Sequence, residues 1–311
     1  MTDFNVDNII SSIRSGNSVE ESNVLQVLAK LQEILYNENT IIEVQSPTYI
    51  VGDIHGQLYD LFNMFDTLNP KGTKNLKYVF MGDYVDRGRF SLDTFIYLAA
   101  HKVKYPKQFF LLRGNHECRT VNAAYGFYSE TLQNFGHSGI WLLCNEIFDL
   151  LPLAAVIDNK IFSVHGGLSP RITLIDSINM FDRQIDLPTS GPFADLVWSD
   201  PDADCTEWRP NVRGAGWMFG KRQVDAFCHQ NKIQLITRSH QLAMNGFQSY
   251  FNDKLYTVWS APNYMYRAGN KATVMKIELD SGKFYSLTYF EACPNDKRKI
   301  VEDTSLSQYF V

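Results

Sequence analysis

Three short apolar runs each break into a polar, glycine-bounded turn, and this repeated unit constrains the chain more than any other feature. Tyr49-Ile50-Val51 runs into Gly52-Asp53-Ile54-His55-Gly56, and Tyr78-Val79-Phe80-Met81 into Gly82-Asp83-Tyr84-Val85-Asp86-Arg87-Gly88. Phe109-Phe110-Leu111-Leu112 runs into Arg113-Gly114-Asn115-His116-Glu117. Apolar runs of this length, rich in aromatic and β-branched residues, read as buried strands. Between them, Leu58, Leu61, Phe62 and Phe65 repeat at helical spacing, and a second helical pattern spans 91 to 103. Strand, polar loop, helix, strand implies parallel pairing. The polar turns then share one sheet edge, where open α/β sheets place ligands.

Further strands read at Lys160 to Val164, Ile233 to Thr237 and Leu255 to Trp259, and the first two end near His165 and His240. Residues 18 to 36 carry a helix signature, with Val24, Val27, Leu28, Leu31 and Leu35 on one face and Ser18 with Glu21 as a capping box. Residues of interest run from Asp53 to Tyr264, so any domain boundary between them would split a site. One catalytic domain over residues 1–293 follows. Residues 294–311 mix Lys297, Arg298 and Lys299 with Glu302 and Asp303 before a terminal Tyr-Phe-Val, and read as a flexible C-terminal tail.

Composition narrows the function classes. A net charge of −5, with no long Lys/Arg run, offers no surface for a nucleic-acid backbone. The five cysteines, 118, 144, 205, 228 and 293, contain no CxxC, so neither a disulfide framework nor a thiolate zinc site is indicated. Nor does any cysteine have an arginine six positions on, the spacing used by cysteine-dependent phosphatases. No stretch resembles a signal peptide, and the apolar run Leu150 to Ile157 is far too short to span a bilayer. A cytoplasmic or nuclear location is the expectation. The glycines of 214–222 do not form a P-loop, because the spacing fails and no Ser/Thr follows Lys221.

Asp, His and Asn at strand-end turns offer oxygen and imidazole donors, which suits a divalent transition metal. Arg87, four residues after Asp83, can meet a bound phosphate. His101, His137 and His229 lie outside these turns and read as surface or satisfied core groups.

The ordered set GDIHG, GDYVDRG, RGNHE, HGG at 165–167 and SAPNY at 260–264 resembles the phosphoprotein phosphatase family of serine/threonine phosphatases. Tyr125-Gly126-Phe127-Tyr128, Trp198-Ser199-Asp200-Pro201, Arg213-Gly214-Ala215-Gly216, the loop 264–270 and the aromatic tail are similar to its 2A-like branch, which includes phosphatases 4 and 6. The resemblance implies an α/β fold with a metallophosphoesterase-type central β-sandwich flanked by helices. It implies two divalent metal ions, manganese foremost with iron or zinc as alternatives. Asp53, His55 and Asp83 would hold one ion, and Asp83, Asn115, His165 and His240 the other. The implied reaction is direct attack of a metal-bridging water or hydroxide on a phosphoserine or phosphothreonine, with His116 as general acid oriented by Asp86. Arg87, Arg213, Asn115 and Tyr264 would bind the substrate, and Arg113 either touches phosphate or braces its loop. The implied partners are phosphoprotein substrates and regulatory or scaffold subunits, with no nucleic acid and no membrane insertion.

Three departures from the branch stand out. Met265 and Ala268 replace two cysteines, so microcystin-like toxins should inhibit reversibly, with no intact-mass shift surviving denaturation. The segment Cys118 to Ala124 differs from the usual pattern beside the site, and Val311 replaces a terminal leucine whose carboxyl methylation the resemblance implies. Two other readings stay open at this level: a different metallophosphoesterase, such as a dinucleoside polyphosphate hydrolase, and a non-catalytic binding module.

Overall fold

The computed structural model describes residues 4–69, 75–278 and 284–298. In chain order it contains α1 (Val6–Arg14), α2 (Glu21–Leu35), β1 (Ile41–Val44), β2 (Thr48–Val51), α3 (Leu58–Leu68), β3 (Tyr78–Phe80), α4 (Ser91–Lys104) and β4 (Phe109–Leu111). There follow α5 (Arg119–Asn122), α6 (Phe127–Phe135), α7 (Gly139–Phe148), β5 (Ala154–Ile157), β6 (Ile161–Val164), α8 (Pro192–Trp198), β7 (Asp200–Pro201), β8 (Arg209–Pro210) and β9 (Trp217–Phe219). The chain continues through α9 (Lys221–Asn231), β10 (Leu235–Arg238), β11 (Phe247–Tyr250), β12 (Leu255–Val258), β13 (Ala272–Ile277) and β14 (Tyr285–Phe290).

Among the described residues two large sheets form, ordered β1-β5-β6-β10-β12-β11 and β14-β13-β2-β3-β4. The βαβ expectation holds: β2, β3 and β4 pair in parallel, Val51 opposite Phe80 and Phe80 opposite Leu111. In the other sheet β6 pairs in parallel with β10. The sheets stack face to face over Ile50, Val79, Leu112, Ile161, Leu235, Val258 and Met275, all buried. α1 to α4, α6 and α7 cover the outer face of one sheet, and α8 and α9 that of the other. A helix-flanked sandwich is the only way both faces of such strands leave water, because every residue of β3, β6 and β10 is buried.

The apolar face expected for α2 is the face that packs, since Val24, Val27, Leu28, Leu31 and Leu35 are all buried. Its expected capping box does not form. The helix begins at Glu21 with Glu20 at the N-cap and no side-chain cap bond, so Ser18 lies upstream of the turn it was to close. At the other end of the chain, Arg298 pairs with Asp60 of α3 at 2.8 Å and the Cys293 N–H donates to the same carboxylate at 2.6 Å. Residues 294–298, assigned to the tail, are therefore anchored on α3. Lys299, Glu302, Asp303 and Val311 lie outside the described residues. No helix among the described residues is long and apolar enough to cross a membrane.

Candidate active site

The loops after β2, β3 and β4 of one sheet and after β6 and β10 of the other open at a common edge. Parallel pairing points these strands the same way, so their C-terminal turns meet. His55, Asp83, Asp86, Arg87 and His240 all have φ between +47° and +70°, which non-glycine residues adopt rarely and at a cost of about 1–3 kcal/mol each. The surrounding structure holds them there. Glu117, fully buried, accepts from the N–H groups of Asp83 and Tyr84, each at 2.8 Å, and from Gly114 at 2.9 Å, tying the second turn to the third. Ser239 accepts from the Asp53 N–H at 2.9 Å and donates to the Asp53 carboxylate, tying the first turn to β10.

Asp83 lies at the centre. One carboxylate oxygen is 3.4 Å from His55 Nε2 and 3.4 Å from His165 Nε2. His165 Nε2 also faces the Asn115 side-chain oxygen at 2.8 Å and His240 Nδ1 at 3.2 Å. His55 Nε2 is 3.6 Å from Asp53. The other ring nitrogens of His55 and His165 donate to backbone carbonyls, Val85 at 2.9 Å and Met81 at 2.8 Å, which orients both rings with Nε2 facing inward. Such anchoring is how a metal-binding imidazole is aimed.

The residues fit a pair of cations on three further grounds. The donor atoms of Asp83, His165 and His240 lie within 4.8 Å of one another, as do those of His55, Asp83 and His116, and Asp83 belongs to both groups. Asp53 Oδ2 and His240 Nε2 are buried without a hydrogen-bond partner among the described residues. Burial and the neighbouring Asp83 charge push Asp53 up to about 6, whereas burial and the nearby His116 push His55 down to about 3. Burial likewise lowers His240, whereas the carboxylates of Asp83 and Asp53 outweigh burial at His165 and raise it to about 9, the direction in which a positive charge at this spot is favoured.

His116 is placed differently. Its Nδ1 faces Asp86 at 2.6 Å, while the second Asp86 oxygen accepts from the Phe127 N–H at 2.9 Å. Burial works against its protonation, but Asp83 and Asp86 outweigh burial and raise it above the ordinary histidine value. The cleft, of about 550 Å³, is lined by His55, Asp83, Arg87, Asn115, His116, Arg213, His240 and Tyr264, with Trp198, Trp259 and Met265 in its walls. The Arg87 guanidinium lies 4.1 Å over the Tyr125 ring. Arg213 is exposed, its Nε donating to Asp200 at 2.7 Å. The same Asp200 takes a 2.7 Å bond from buried Arg238, which precedes the Ser239-His240 turn. Tyr264 stacks edge-on to Trp259 and lies 5.3 Å from His55.

All of the candidate residues read from the sequence thus converge on one cleft or its wall. Arg113 turns away: it bonds Asp149 at 2.8 Å, Ile185 O at 2.8 Å and Glu117 O at 3.0 Å, so it braces the loop. Sequence reading missed Glu117, Ser239 and Asp200. Glu117 was adjacent to a motif histidine, but nothing in one strand-end turn reveals that its carboxylate serves another. His101 packs on Phe65 and Phe109 far from the cleft, among core aromatics. All five cysteines are free, and none lines the cleft among the described residues.

The calcineurin-like phosphoesterase family matches residues 46–244, a span containing every proposed metal ligand. The serine/threonine-protein phosphatase 4 catalytic subunit of Saccharomyces cerevisiae is 44% identical over 310 residues, covering 99% of this chain and 100% of that protein. The corresponding subunit of Kluyveromyces lactis is 46% identical over 287 residues, covering 92% of each. Among solved structures, a protein serine/threonine phosphatase from Saccharomyces cerevisiae with similarity to human phosphatase PP5 superposes with a TM-score of 0.84 at 31% identity, over 93% of this chain and 96% of that one.

Proposed function

The chain belongs to the calcineurin-like phosphoesterases and, within them, to the 2A-like phosphoprotein phosphatases, and on that premise we propose that it is a catalytic subunit that hydrolyses phosphoserine and phosphothreonine in proteins. The observation that carries the mechanism is the Asp86–His116 pair at 2.6 Å, on the rim of a ligand cluster centred on Asp83. In this reading Asp53, His55 and Asp83 hold one divalent ion, and Asp83, Asn115, His165 and His240 the other. When bound, such a pair neutralises phosphoryl charge and acidifies an attacking water. Manganese suits assays in vitro, and iron or zinc tolerates the same N/O donor set.

The chain's own residues do the rest. Arg87 and Arg213 present guanidinium groups whose forked donors match phosphate oxygens. Asn115 supplies a side-chain amide beside the phosphate, and Tyr264 with Trp259 forms an apolar wall over it. Asp86 holds His116 by Nδ1 and favours the imidazolium, so Nε2 carries the proton the departing serine or threonine oxygen needs. That alkoxide is a poor leaving group without it. Cys118, beside the site, offers no activated thiolate for a covalent route, because burial raises its pKa to about 12.

Regulatory or scaffold subunits that select the phosphoprotein, and a cytoplasmic or nuclear location, belong to the same proposal. A purified chain reproducing a native complex's substrate preference would argue against such subunits. The test of the central reading is phosphate release from a phosphothreonine peptide by manganese-loaded chain beside Asp83→Asn and His116→Asn. Strong activity in the native chain alone supports it. A folded, metal-loaded native chain no faster than the variants overturns it in favour of a binding protein.

A further inference from the structure

The two carboxylate oxygens of Asp53 have unlike surroundings. Oδ1 accepts from the Ser239 hydroxyl and from the His240 N–H, the latter at 3.2 Å. Oδ2 is buried without a hydrogen-bond partner among the described residues and lies 3.6 Å from His55 Nε2. One oxygen is thus turned to the end of β10 and the other to the imidazole of a second proposed ligand. A buried carboxylate oxygen left in this way is costly unless a cation or a donor meets it.

Ser239 is fully buried and is built into this arrangement from several sides. Its Oγ accepts from the Asp53 N–H at 2.9 Å, so the backbone and the side chain of one residue close on a single hydroxyl. Val258 O lies 3.0 Å from the same Oγ. A hydroxyl has one proton, and a carboxylate is a stronger acceptor than a carbonyl, so the proton goes to Oδ1. The close approach depends on Gly52, where a Cβ would lie 2.8 Å from Ser239 Oγ and 2.1 Å from Val258 O.

We propose that Ser239 is a positioning residue for metal binding: by holding Oδ1 it leaves Asp53 to ligate through Oδ2 alone, and it sets the affinity of the ion held by Asp53, His55 and Asp83. This rests on the two-ion reading above and extends it to a residue that touches neither ion nor substrate. The neighbouring ion has Asn115, His165 and His240 besides Asp83 in that reading. Freeing the Asp53 carboxylate to rotate therefore weakens the ion on Asp53 first.

The test strips the full-length chain of metal and titrates it with manganese(II) alone, reading bound metal by equilibrium dialysis and elemental analysis. The native chain should take up two ions. Ser239→Ala removes one oxygen and no packing volume; it should bind one ion as before and the other about 10- to 100-fold more weakly. Ser260→Ala is the matched control, because Ser260 Oγ accepts from the Gly52 N–H at 2.8 Å and donates to Thr273 O at 2.7 Å, bracing the same turn through its backbone. Each variant leaves one backbone N–H of that turn unpaired, so the two metal-free chains should unfold at similar urea concentrations. Ser260→Ala should nevertheless bind both ions as the native chain does. Electron paramagnetic resonance gives a second readout: at a manganese concentration that just saturates the native chain, its coupled spectrum should give way in Ser239→Ala to that of an isolated ion. Native affinity for both ions in Ser239→Ala, or an equal loss in Ser260→Ala, overturns the positioning role. A native chain that binds fewer than two manganese ions overturns the two-ion reading instead, and the role of Ser239 falls with it.

Discussion

At the scale of single residues, the site divides between groups whose chemistry is their own and groups that aim them. His116 belongs to the first class. His116→Asn should lower phosphopeptide turnover by roughly a hundredfold to ten-thousandfold, the usual worth of general acid catalysis. Its effect on p-nitrophenyl phosphate should be much smaller, because that leaving group needs no proton. Equal losses on both substrates would make His116 a metal ligand, a role its place in one of the two ligand groups makes concrete. Met265 tests the wall: it lines the cleft, and its thioether is polarizable but not nucleophilic. A microcystin-like toxin should dissociate fully on denaturation, read by intact mass.

At the scale of elements, the strand-end turns act as one interlocked unit. Gly114 leaves no room for a side chain: a Cβ there would lie 2.2 Å from an Asp83 carboxylate oxygen and 2.5 Å from its backbone nitrogen. Gly114→Ala should therefore displace Asp83, the carboxylate common to both proposed ions, and reduce bound metal below one ion per chain while the circular dichroism spectrum is retained. Full metal occupancy in a folded variant would remove Asp83 from the bridging role. α4 shows the same cross-element dependence. Its first N–H groups, Ser91 and Leu92, are capped at 2.8 Å each by the Glu130 carboxylate of α6, and Ser91 Oγ accepts from the Asp86 N–H. The helix that follows the second turn thus helps to fix the residue that orients His116.

At the scale of the whole molecule, acid stability has a contribution far from the site. Burial among Phe65, Tyr97 and Phe109 pushes His101 down to about 4. Between pH 4 and the ordinary value of 6.5 the unfolded chain binds a proton the folded chain refuses. This contribution is full above about 6.5 and is lost as pH falls towards 4, on the order of 1–2 kcal/mol for a half-buried ring. Urea unfolding at pH 7.5 and pH 5 should show that loss in the native chain and a smaller one in His101→Phe; identical losses would place the acid sensitivity elsewhere. The placement of Asp53, His55, Asp83, Asn115, His116, His165 and His240 at or just after strand ends was legible in the sequence, because period and glycine punctuation are local properties of a strand and its turn, whereas their proposed roles came from the family resemblance. The same locality made the buried face of α2 readable and its cap misread. Which loops touch was not local. Glu117 serving the Asp83 turn, Ser239 serving Asp53, Arg113 turning from the cleft to Asp149, and Arg298 pairing with Asp60 of α3 each depend on segments tens to hundreds of residues apart, brought together only by the tertiary fold.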